Sequence, residues 1–276
     1  MNENAKYIPV GNGTEVAMLR FLQQNKVEIQ DQLSKRHRLS ILETNIPFGP
    51  ERKRALVAIR PNKTSEHVRI VIKGAPEYVL PMCTSQLVEN GSESPLDANE
   101  RKRILDEEIV RRFCKNGLRG IVYAYKDVDT FDWEFMRKNN NNFDRIKDRE
   151  ILEKDFCFVA AFGLNDDLRE GVQEAIKKLQ DGGIFVRMIS GDNMQTAIQC
   201  AKKAGIIAEG EEEKEKVCMT GQDFQYFIGG VKKTYDREGR EKYEIQNKHA
   251  FKQIALRLKV LARSTPEDKF ALIVGL

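Results

Sequence analysis

The sequence predicts an α/β protein in which a mixed helix-and-strand region is followed by a region built on a parallel sheet. The first observation is the alternation of strand-like and helix-like segments after residue 156, which is typical of a doubly wound parallel sheet. The second is a hydrophobic run that ends at Ser190-Gly191-Asp192, directly before a helical pattern. The third is a pair of β-rich runs in the first region, separated by the turn-forming sequence Pro61-Asn62-Lys63.

In the first region, runs of β-branched residues predict strands and periodic apolar residues predict helices. Pro76 suits the first turn of a helix, and Gly117 suits the end of one. The polar segment 127–154 contains four consecutive asparagines and predicts a loop insertion with a short helix. The predicted elements, in order, are a helix at 15–24, a strand at 39–45, a hairpin of strands at 55–60 and 68–72, helices at 77–82 and 99–115, and a strand at 118–125.

The second region begins with a predicted strand at 156–164. A stripe of apolar residues from Leu168 to Leu179 then predicts a helix that ends at Gly182-Gly183. A strand at 184–189 follows, and after it a helix that Gly205 ends. Farther along, Thr265 as the capping residue and Pro266 at the first helical position predict another helix start.

Polar residues stand where two of these strands end. Ser190-Gly191-Asp192 follows one strand, and Arg263-Ser264 follows a hydrophobic run at 260–262. Ligands of doubly wound sheets bind at the carboxyl ends of the strands. The amino end of a helix also offers unpaired N–H groups and a partial positive charge, and Gly191 lets backbone approach a ligand closely. This arrangement predicts a phosphate site.

Composition excludes several classes of protein. The 276 residues suffice for two domains, and a net charge of +4 with dispersed basic residues does not indicate nucleic-acid binding. The longest apolar run, at 156–164, is about half of what a spanning helix needs. The five cysteines form no close pair, which suits reduced cytosolic thiols better than disulfides or zinc, and we expect no metal site. The acidic run 209–215 predicts a solvated loop.

Five sequence blocks resemble those of P-type cation-transporting ATPases, and most closely the plasma-membrane calcium pumps. The blocks stand in the order of that family and extend over nearly the whole chain. They are residues 11–15 (GNGTE), 48–53 (FGPERK), 73–77 (KGAPE), 186–193 (VRMISGDN) and 260–269 (VLARSTPEDK). The resemblance implies a nucleotide-binding (N) domain at 1–158 and part of a phosphorylation (P) domain of the Rossmann type, similar to haloacid dehalogenases, at 159–276.

The resemblance also implies an ATP site in the first domain. It assigns Lys73 and Gly74 to the adenine pocket, Phe48 to stacking on the base, Glu15 to the adenine amino group, and Lys53 to the neighbourhood of the phosphates. Pro47 and Gly49 flank Phe48 and indicate a turn, whereas the alternative is a core phenylalanine. Pro50 stands where intracellular calcium pumps carry an arginine, a role that Arg52 or Arg54 could take over.

Further residues carry implied roles around the phosphates. The resemblance assigns Arg119 to the nucleotide phosphates and the hinge, and Asp166-Asp167-Leu168-Arg169 to the hinge itself, with Asp167 in place of a proline. It assigns Ser190, Gly191, Asp192, Arg263 and Lys269 to the phosphorylation site, where Lys269 would neutralise charge on the transferring phosphoryl group.

Three motifs on which the family's chemistry depends are absent from the sequence. These are the phosphorylated Asp-Lys-Thr-Gly-Thr, the magnesium-binding Gly-Asp-Gly-X-Asn-Asp, and the Thr-Gly-Glu loop. We therefore expect a fragment that starts inside the nucleotide-binding domain, ends inside the phosphorylation domain and does not turn over alone. Mg²⁺ would be held with the help of motifs of the parent protein.

The resemblance thus implies a soluble, ATP-binding fragment of a pump that couples ATP hydrolysis, through an aspartyl phosphate, to calcium export at the cytosolic face of a membrane. The parent's partners would be Ca²⁺, its other domains and membrane helices, and calmodulin. Two alternatives stay open. One is a stand-alone nucleotide-binding module without catalysis, and the other is a phosphatase of the haloacid-dehalogenase type, which the lack of an Asp-X-Asp motif weakens.

Overall fold

The computed structural model describes residues 10–39, 41–236 and 238–276. They form two compact units. The first contains the described residues up to Lys102 together with Ile121–Leu164, and the second contains Arg103–Gly120 with Asn165–Leu276. The sequence prediction had two contiguous domains, 1–158 and 159–276. The last boundary between the units lies six residues later, because the strand Phe156–Leu164 pairs within the sheet of the first unit, and Arg103–Gly120 belongs to the second unit although it lies inside the predicted first domain.

The first unit is built on a seven-stranded sheet with the order β1-β2-β3-β6-β7-β4-β5. Its strands are β1 (Ile41–Gly49), β2 (Arg54–Arg60), β3 (His67–Gly74), β4 (Cys83–Leu87), β5 (Glu93–Pro95), β6 (Arg119–Asp129) and β7 (Phe156–Leu164). Its helices are α1 (Gly13–Gln24), α2 (Ile29–Leu39), α3 (Pro76–Val79), α4 (Ala98–Arg103) and α5 (Thr130–Asn139). The predicted hairpin of β2 and β3 is present, with Arg54 opposite Gly74.

The two faces of this sheet differ in character. Alternate residues of β3, namely Val68, Ile70 and Ile72, are fully buried, whereas Arg69 and Lys73 lie on the other face. A period of two is what a strand with one packed face produces. The face that carries Lys73 is therefore the one on which polar side chains are available for a ligand.

Segment 127–154 is more ordered than its composition predicts. It contains the end of β6, α5, and two 3-10 helices at Asn141–Phe143 and Lys147–Leu152. Trp133, Phe143 and Leu152 are all buried, so three apolar side chains anchor a mostly polar segment to the core. The predicted helix at 99–115 is also divided, into α4, a π-helix at Ile104–Arg111 and a 3-10 turn at Cys114–Asn116, and Gly117 ends it in a left-handed conformation.

The second unit contains a three-stranded parallel sheet with the order β8-β12-β9 and a separate two-stranded hairpin. The strands are β8 (Met188–Ile189), β9 (Cys218–Thr220), β10 (Val231–Tyr235), β11 (Glu241–Ile245) and β12 (Val260–Ala262). The helices are α6 (Val172–Asp181), α7 (Met194–Lys203), α8 (Gly221–Ile228), α9 (Lys248–Ala255) and α10 (Pro266–Gly275). The prediction of a six-residue strand at 184–189 is wrong, because only two of those residues pair.

Helices cover both faces of the parallel sheet. Leu261 packs into one apolar cluster, with Phe224 and Ile254, while its neighbours Val260 and Ala262 pack into another, with Ala201. Because successive residues of a strand point to opposite faces, the two clusters lie on opposite sides of β12. The α/β class predicted from the sequence is confirmed, although β7 belongs to the first sheet and not to this parallel one.

Two further expectations concern the surface. Glu211 and Glu212 of the acidic run form ion pairs with Lys259 and Lys202, so this run is held against the second unit and is not simply solvated. Across the described ranges, no helix combines the length and the apolar composition that crossing a bilayer requires.

Candidate functional site

The turn between β1 and β2 carries two of the predicted binding residues. The carbonyl of Gly49 accepts hydrogen bonds from the N–H groups of Arg52 (3.1 Å) and Lys53 (2.7 Å), which closes the turn. Lys53 ends it in a left-handed conformation, with φ 53°. Phe48 lies at the other side of the turn, where the β1–β2 register is irregular, and 59% of it is exposed. A core phenylalanine would be buried, so this side chain is available to a ligand.

The end of β3 lies directly against this turn. The N–H of Ala75 donates to the carbonyl of Lys53 at 2.9 Å. A Cβ atom at Gly74 would lie 2.6 Å from that same carbonyl oxygen and 2.8 Å from the Cα of Arg54. Only a residue without a side chain lets the two backbones approach so closely. Gly74 thereby brings Lys73 and Lys53 to one edge of the sheet.

Glu15 and Lys73 form an ion pair, with 2.6 Å between Oε1 and Nζ. Glu15 lies in the first turn of α1, where Asn12 caps the helix by accepting from the N–H of Thr14. A carboxylate in this position is favoured by the helix dipole. The pair is open to solvent on the Glu15 side, so both groups can exchange one partner for another.

The structure adds aromatic residues that sequence reasoning missed. Tyr123 lies opposite Lys73 in the β3–β6 pairing, and its ring packs edge-on against Phe162 of β7. Phe162 in turn contacts Phe21 of α1, with 5.4 Å between ring centroids. Burial raises the pKa of Tyr123, and the negative charge of Glu15 adds to that rise. These rings hold α1, and with it Glu15, over the open face of the sheet.

Arg52 and Arg54 do not take over the role of the arginine that Pro50 replaces. Both guanidinium groups form ion pairs with Glu153, whose side chain is only 6% exposed. Arg52 itself is 7% exposed. The hypothesis of a compensating arginine is therefore not supported, because both side chains are directed to a buried carboxylate.

A second cluster lies at the carboxyl end of β8 in the second unit. The Ser190 hydroxyl donates to the Asp192 carboxylate at 3.0 Å, and the Asp192 N–H donates back to the Ser190 oxygen at 3.1 Å. Arg119 donates from Nε to Asp192 at 2.8 Å and lies 3.7 Å from Asp166. Burial alone would lower the pKa of Arg119, but the hydrogen bond to Asp192 and the charges of both aspartates raise it.

The loop after β12 joins this cluster through backbone hydrogen bonds. The N–H of Arg263 donates to the Asp192 carbonyl at 2.8 Å, and the N–H of Ser264 donates to that of Ser190 at 3.0 Å. The Arg263 side chain donates to the Gly191 carbonyl. Burial lowers the pKa of Arg263, and its backbone is left-handed, with φ 47°. The two strand ends at which the sequence places polar residues are therefore hydrogen-bonded to each other.

Lys269 lies in the first turn of α10, which begins with the predicted cap. Thr265 and Asp268 form a reciprocal capping box, and Pro266 occupies the first helical position. The Lys269 side chain is exposed, and it makes no ion pair with the residues the structure describes. The geometry therefore brings Ser190, Asp192, Arg119 and Arg263 together. Lys269 lies in the first turn of the helix that follows the Arg263–Ser264 loop, and its side chain forms no hydrogen bond or ion pair with any of these four residues.

Neither cluster has a set of side chains that could hold a metal ion. Within residues 10–39, 41–236 and 238–276, no three histidine, cysteine or carboxylate side chains are grouped so that they could hold a metal ion. The carboxylate of Asp192 is occupied by Arg119 and Ser190.

Comparison with known proteins identifies the family of the chain. Residues 1–171 match the family described as "P-type ATPase, cytoplasmic domain N". The chain is 33% identical to plasma membrane calcium-transporting ATPase 1 of Mus musculus over 267 residues, 97% of this chain and 20% of that protein. It is 32% identical to calcium-transporting ATPase PAT1 of Dictyostelium discoideum over 266 residues, 96% of this chain and 20% of that protein. The chain spans about a fifth of the length of these curated relatives.

The close approach at Gly74 leads to a stability prediction. Gly74→Ala must push the backbone of Lys53 and Arg54 away, and overpacking of this kind costs about 1–3 kcal/mol. Urea denaturation should show that loss in the free energy of unfolding. Gly13→Ala is the matched control, since nothing lies within 4 Å of a Cβ there and the residue is helical, so stability should stay the same or rise slightly. Equal stabilities for the two variants would contradict the tight packing.

Proposed function

The chain belongs to the P-type ATPases, and we propose that it binds ATP as part of the cytoplasmic region of a calcium-transporting pump. The single observation that carries the proposal is the arrangement at one edge of the seven-stranded sheet. There the Glu15–Lys73 ion pair, the close contact of Gly74 with Lys53, and the exposed Phe48 ring lie on the elements that the family's nucleotide motifs predict.

The chemistry of these groups suits an adenine nucleotide. An exposed aromatic ring offers a face on which a base stacks, which is worth about 1–3 kcal/mol per base. The Glu15 carboxylate can accept a hydrogen bond from the exocyclic amino group, and the Lys73 ammonium can donate to a ring nitrogen. Lys53 supplies a positive charge for the phosphates. The ion pair holds Glu15 and Lys73 at the same place on the sheet, and because Glu15 is open to solvent both groups can exchange each other for the base.

The second cluster suits the transferring phosphoryl group. Ser190 supplies a hydroxyl, Gly191 an exposed backbone, and Arg119 and Arg263 supply guanidinium groups, which are forked donors for phosphate oxygens. Lys269 would neutralise the charge that develops during transfer. The exposed and unengaged state of Lys269 supports this role, since an ammonium already bound to a carboxylate would have to release it first.

The complete catalytic cycle requires groups beyond these residues. The described residues do not fit a magnesium ion, because no cluster of carboxylates is present to hold one, and Mg²⁺ would enter bound to the ATP phosphates. The aspartyl-phosphate intermediate, the exported Ca²⁺, the membrane domains and regulation by calmodulin belong to the proposal for the complete pump. We propose the plasma membrane, after which relatives such as plasma membrane calcium-transporting ATPase 1 are named, as the location of the complete pump.

Two alternatives were open from the sequence. A phosphatase of the haloacid-dehalogenase type needs an Asp-X-Asp nucleophile at a strand end, and neither β8 nor β12 is followed by one. A stand-alone nucleotide-binding module shares the first site, but it gives no reason for the Ser190–Asp192–Arg263 arrangement at the second.

The base-stacking role of Phe48 is tested by titration calorimetry. The unmodified chain should bind ATP with Kd of about 0.1 to 1 mM, equivalent to roughly 4 to 5.5 kcal/mol. Phe48→Ala should weaken ATP and ADP equally, by about fivefold or more, because the ring would contact the base and not the terminal phosphate. Phe131→Ala, at another exposed phenylalanine, should leave both affinities unchanged. A loss confined to ATP would show that Phe48 does not contact the base. If the unmodified chain showed no saturable binding, the proposal itself would be refuted.

A comparison of two lysines tests the division between the sites. Lys73→Ala should weaken ATP binding by this chain, whereas Lys269→Ala, Asp192→Asn and Arg263→Ala should change it little, since we assign those residues to phosphoryl transfer. In a complete pump, Lys269→Ala should lower the amount of phosphoenzyme formed from labelled ATP, and Lys269→Arg should retain part of it. If Lys269→Ala abolished ATP binding by this chain while Lys73→Ala left it intact, the division would be wrong.

A further inference from the structure

Phe48 and Lys53 both depend on the conformation of one five-residue turn, residues 49–53. Its backbone is closed by two hydrogen bonds to the Gly49 carbonyl, and it ends in a left-handed residue. A left-handed conformation is unfavourable for a lysine by roughly 1 kcal/mol or more. Such a turn persists only where other contacts hold it, so the question is what holds this one.

The side chains on both sides of Lys53 are fixed by the same carboxylate. Arg52 and Arg54 each form an ion pair with Glu153, and Arg54 also donates to the Arg52 carbonyl at 2.8 Å. The exposed fractions of the three side chains are 7%, 15% and 6%, in the order Arg52, Arg54 and Glu153. Two guanidinium groups that converge on one buried carboxylate define the direction of the chain through Lys53.

Glu153 is itself held in place by the packing of the segment around it. It caps the 3-10 helix at Lys147–Leu152, and its neighbours Leu152 and Phe156 are fully buried. Burial alone would raise the pKa of the Glu153 carboxyl, but hydrogen bonds from Arg54 and Arg52 hold it below its ordinary value. The carboxylate therefore stays ionised at neutral pH and retains both arginines.

We propose that Glu153 is a positioning residue for nucleotide binding, which holds the 49–53 turn so that Phe48 and Lys53 are presented to the base and the phosphates. This inference rests on the proposed ATP-binding function. Glu153 lies about a hundred residues from the turn in sequence and belongs to none of the five family blocks.

Whether Glu153→Gln raises or lowers nucleotide affinity distinguishes a positioning role from a purely electrostatic one. Glu153→Gln removes the negative charge that pairs with the arginines on both sides of Lys53, and it leaves those two arginines unneutralised. By Coulomb's law alone, that change should strengthen the binding of an anion, and of ATP more than of ADP. Positioning predicts the opposite, since a displaced turn moves Phe48 and Lys53 together. We expect ATP and ADP to lose affinity equally, by about tenfold, which lies within the range for lost base stacking.

Glu43→Gln is the matched control. Glu43 is also a buried carboxylate, 7% exposed, and it also bridges two arginines, Arg60 at 2.8 Å and Arg137 at 3.4 Å. It lies in β1, toward the end of the strand away from Phe48. Both variants should lose stability, because each removes a buried carboxylate that two arginines share; Arg60 and Arg137 then keep longer contacts with Glu134, at 3.6 and 4.0 Å. Only the variant at Glu153 should lose nucleotide affinity.

The experiment measures Kd for ATP and ADP by calorimetry on the full 276-residue chain, at a temperature where circular dichroism shows every variant folded. Glu153→Asp keeps the charge on a shorter side chain and should give an intermediate affinity. If Glu153→Gln does not fold, the affinity of Glu153→Asp serves as the test of positioning. Unchanged or increased affinity in the folded variant would overturn the positioning role, as would an equal loss in Glu43→Gln. Absence of binding by the unmodified chain would instead refute the proposed function and this inference with it.

Discussion

The candidate ATP site depends on one close contact between backbones, where the end of β3 meets the start of β2 at Gly74. The contact and the Ala75–Lys53 hydrogen bond fix the end of the 49–53 turn relative to Lys73. Lys73 then reaches Glu15, and the Phe21–Phe162–Tyr123 rings hold α1 in place. A side chain at position 74 would separate β2 from β3, so the remaining contacts of the site presuppose a glycine there.

Charge in the first unit is arranged in two ways. Pairs of arginines share a single carboxylate at Glu153 and at Glu43, and because both carboxylates are buried these charges already have protein partners. Lys73, Glu15 and Phe48 are the accessible groups at the edge of the sheet. In the second unit Arg119 and Asp192 remain partly open, which suits groups that exchange protein partners for phosphate oxygens.

Local signals in the sequence predicted much of this arrangement, and contacts between distant segments could not be predicted. The β2–β3 hairpin, the capped start of α10 and the strand-end position of Ser190–Asp192 follow from patterns within about ten residues. Glu153 had no such signal, because its two arginines lie about a hundred residues away. The pairing of β7 with β4 was missed for the same reason, and the polar composition of 127–154 concealed the buried Trp133, Phe143 and Leu152.

We propose that an adenine nucleotide binds at the edge of the seven-stranded sheet, at the ends of β1, β2 and β3. The most direct measurement is an NMR titration of the isotopically labelled chain with ATP, following backbone amide shifts. We expect saturable shifts that are largest at Glu15, Phe48, Lys53 and Gly74, and we expect ADP to produce the same shifts at these residues. Saturable shifts confined to Ser190–Asp192 and Arg263, with none at the sheet edge, would show that the nucleotide does not bind there.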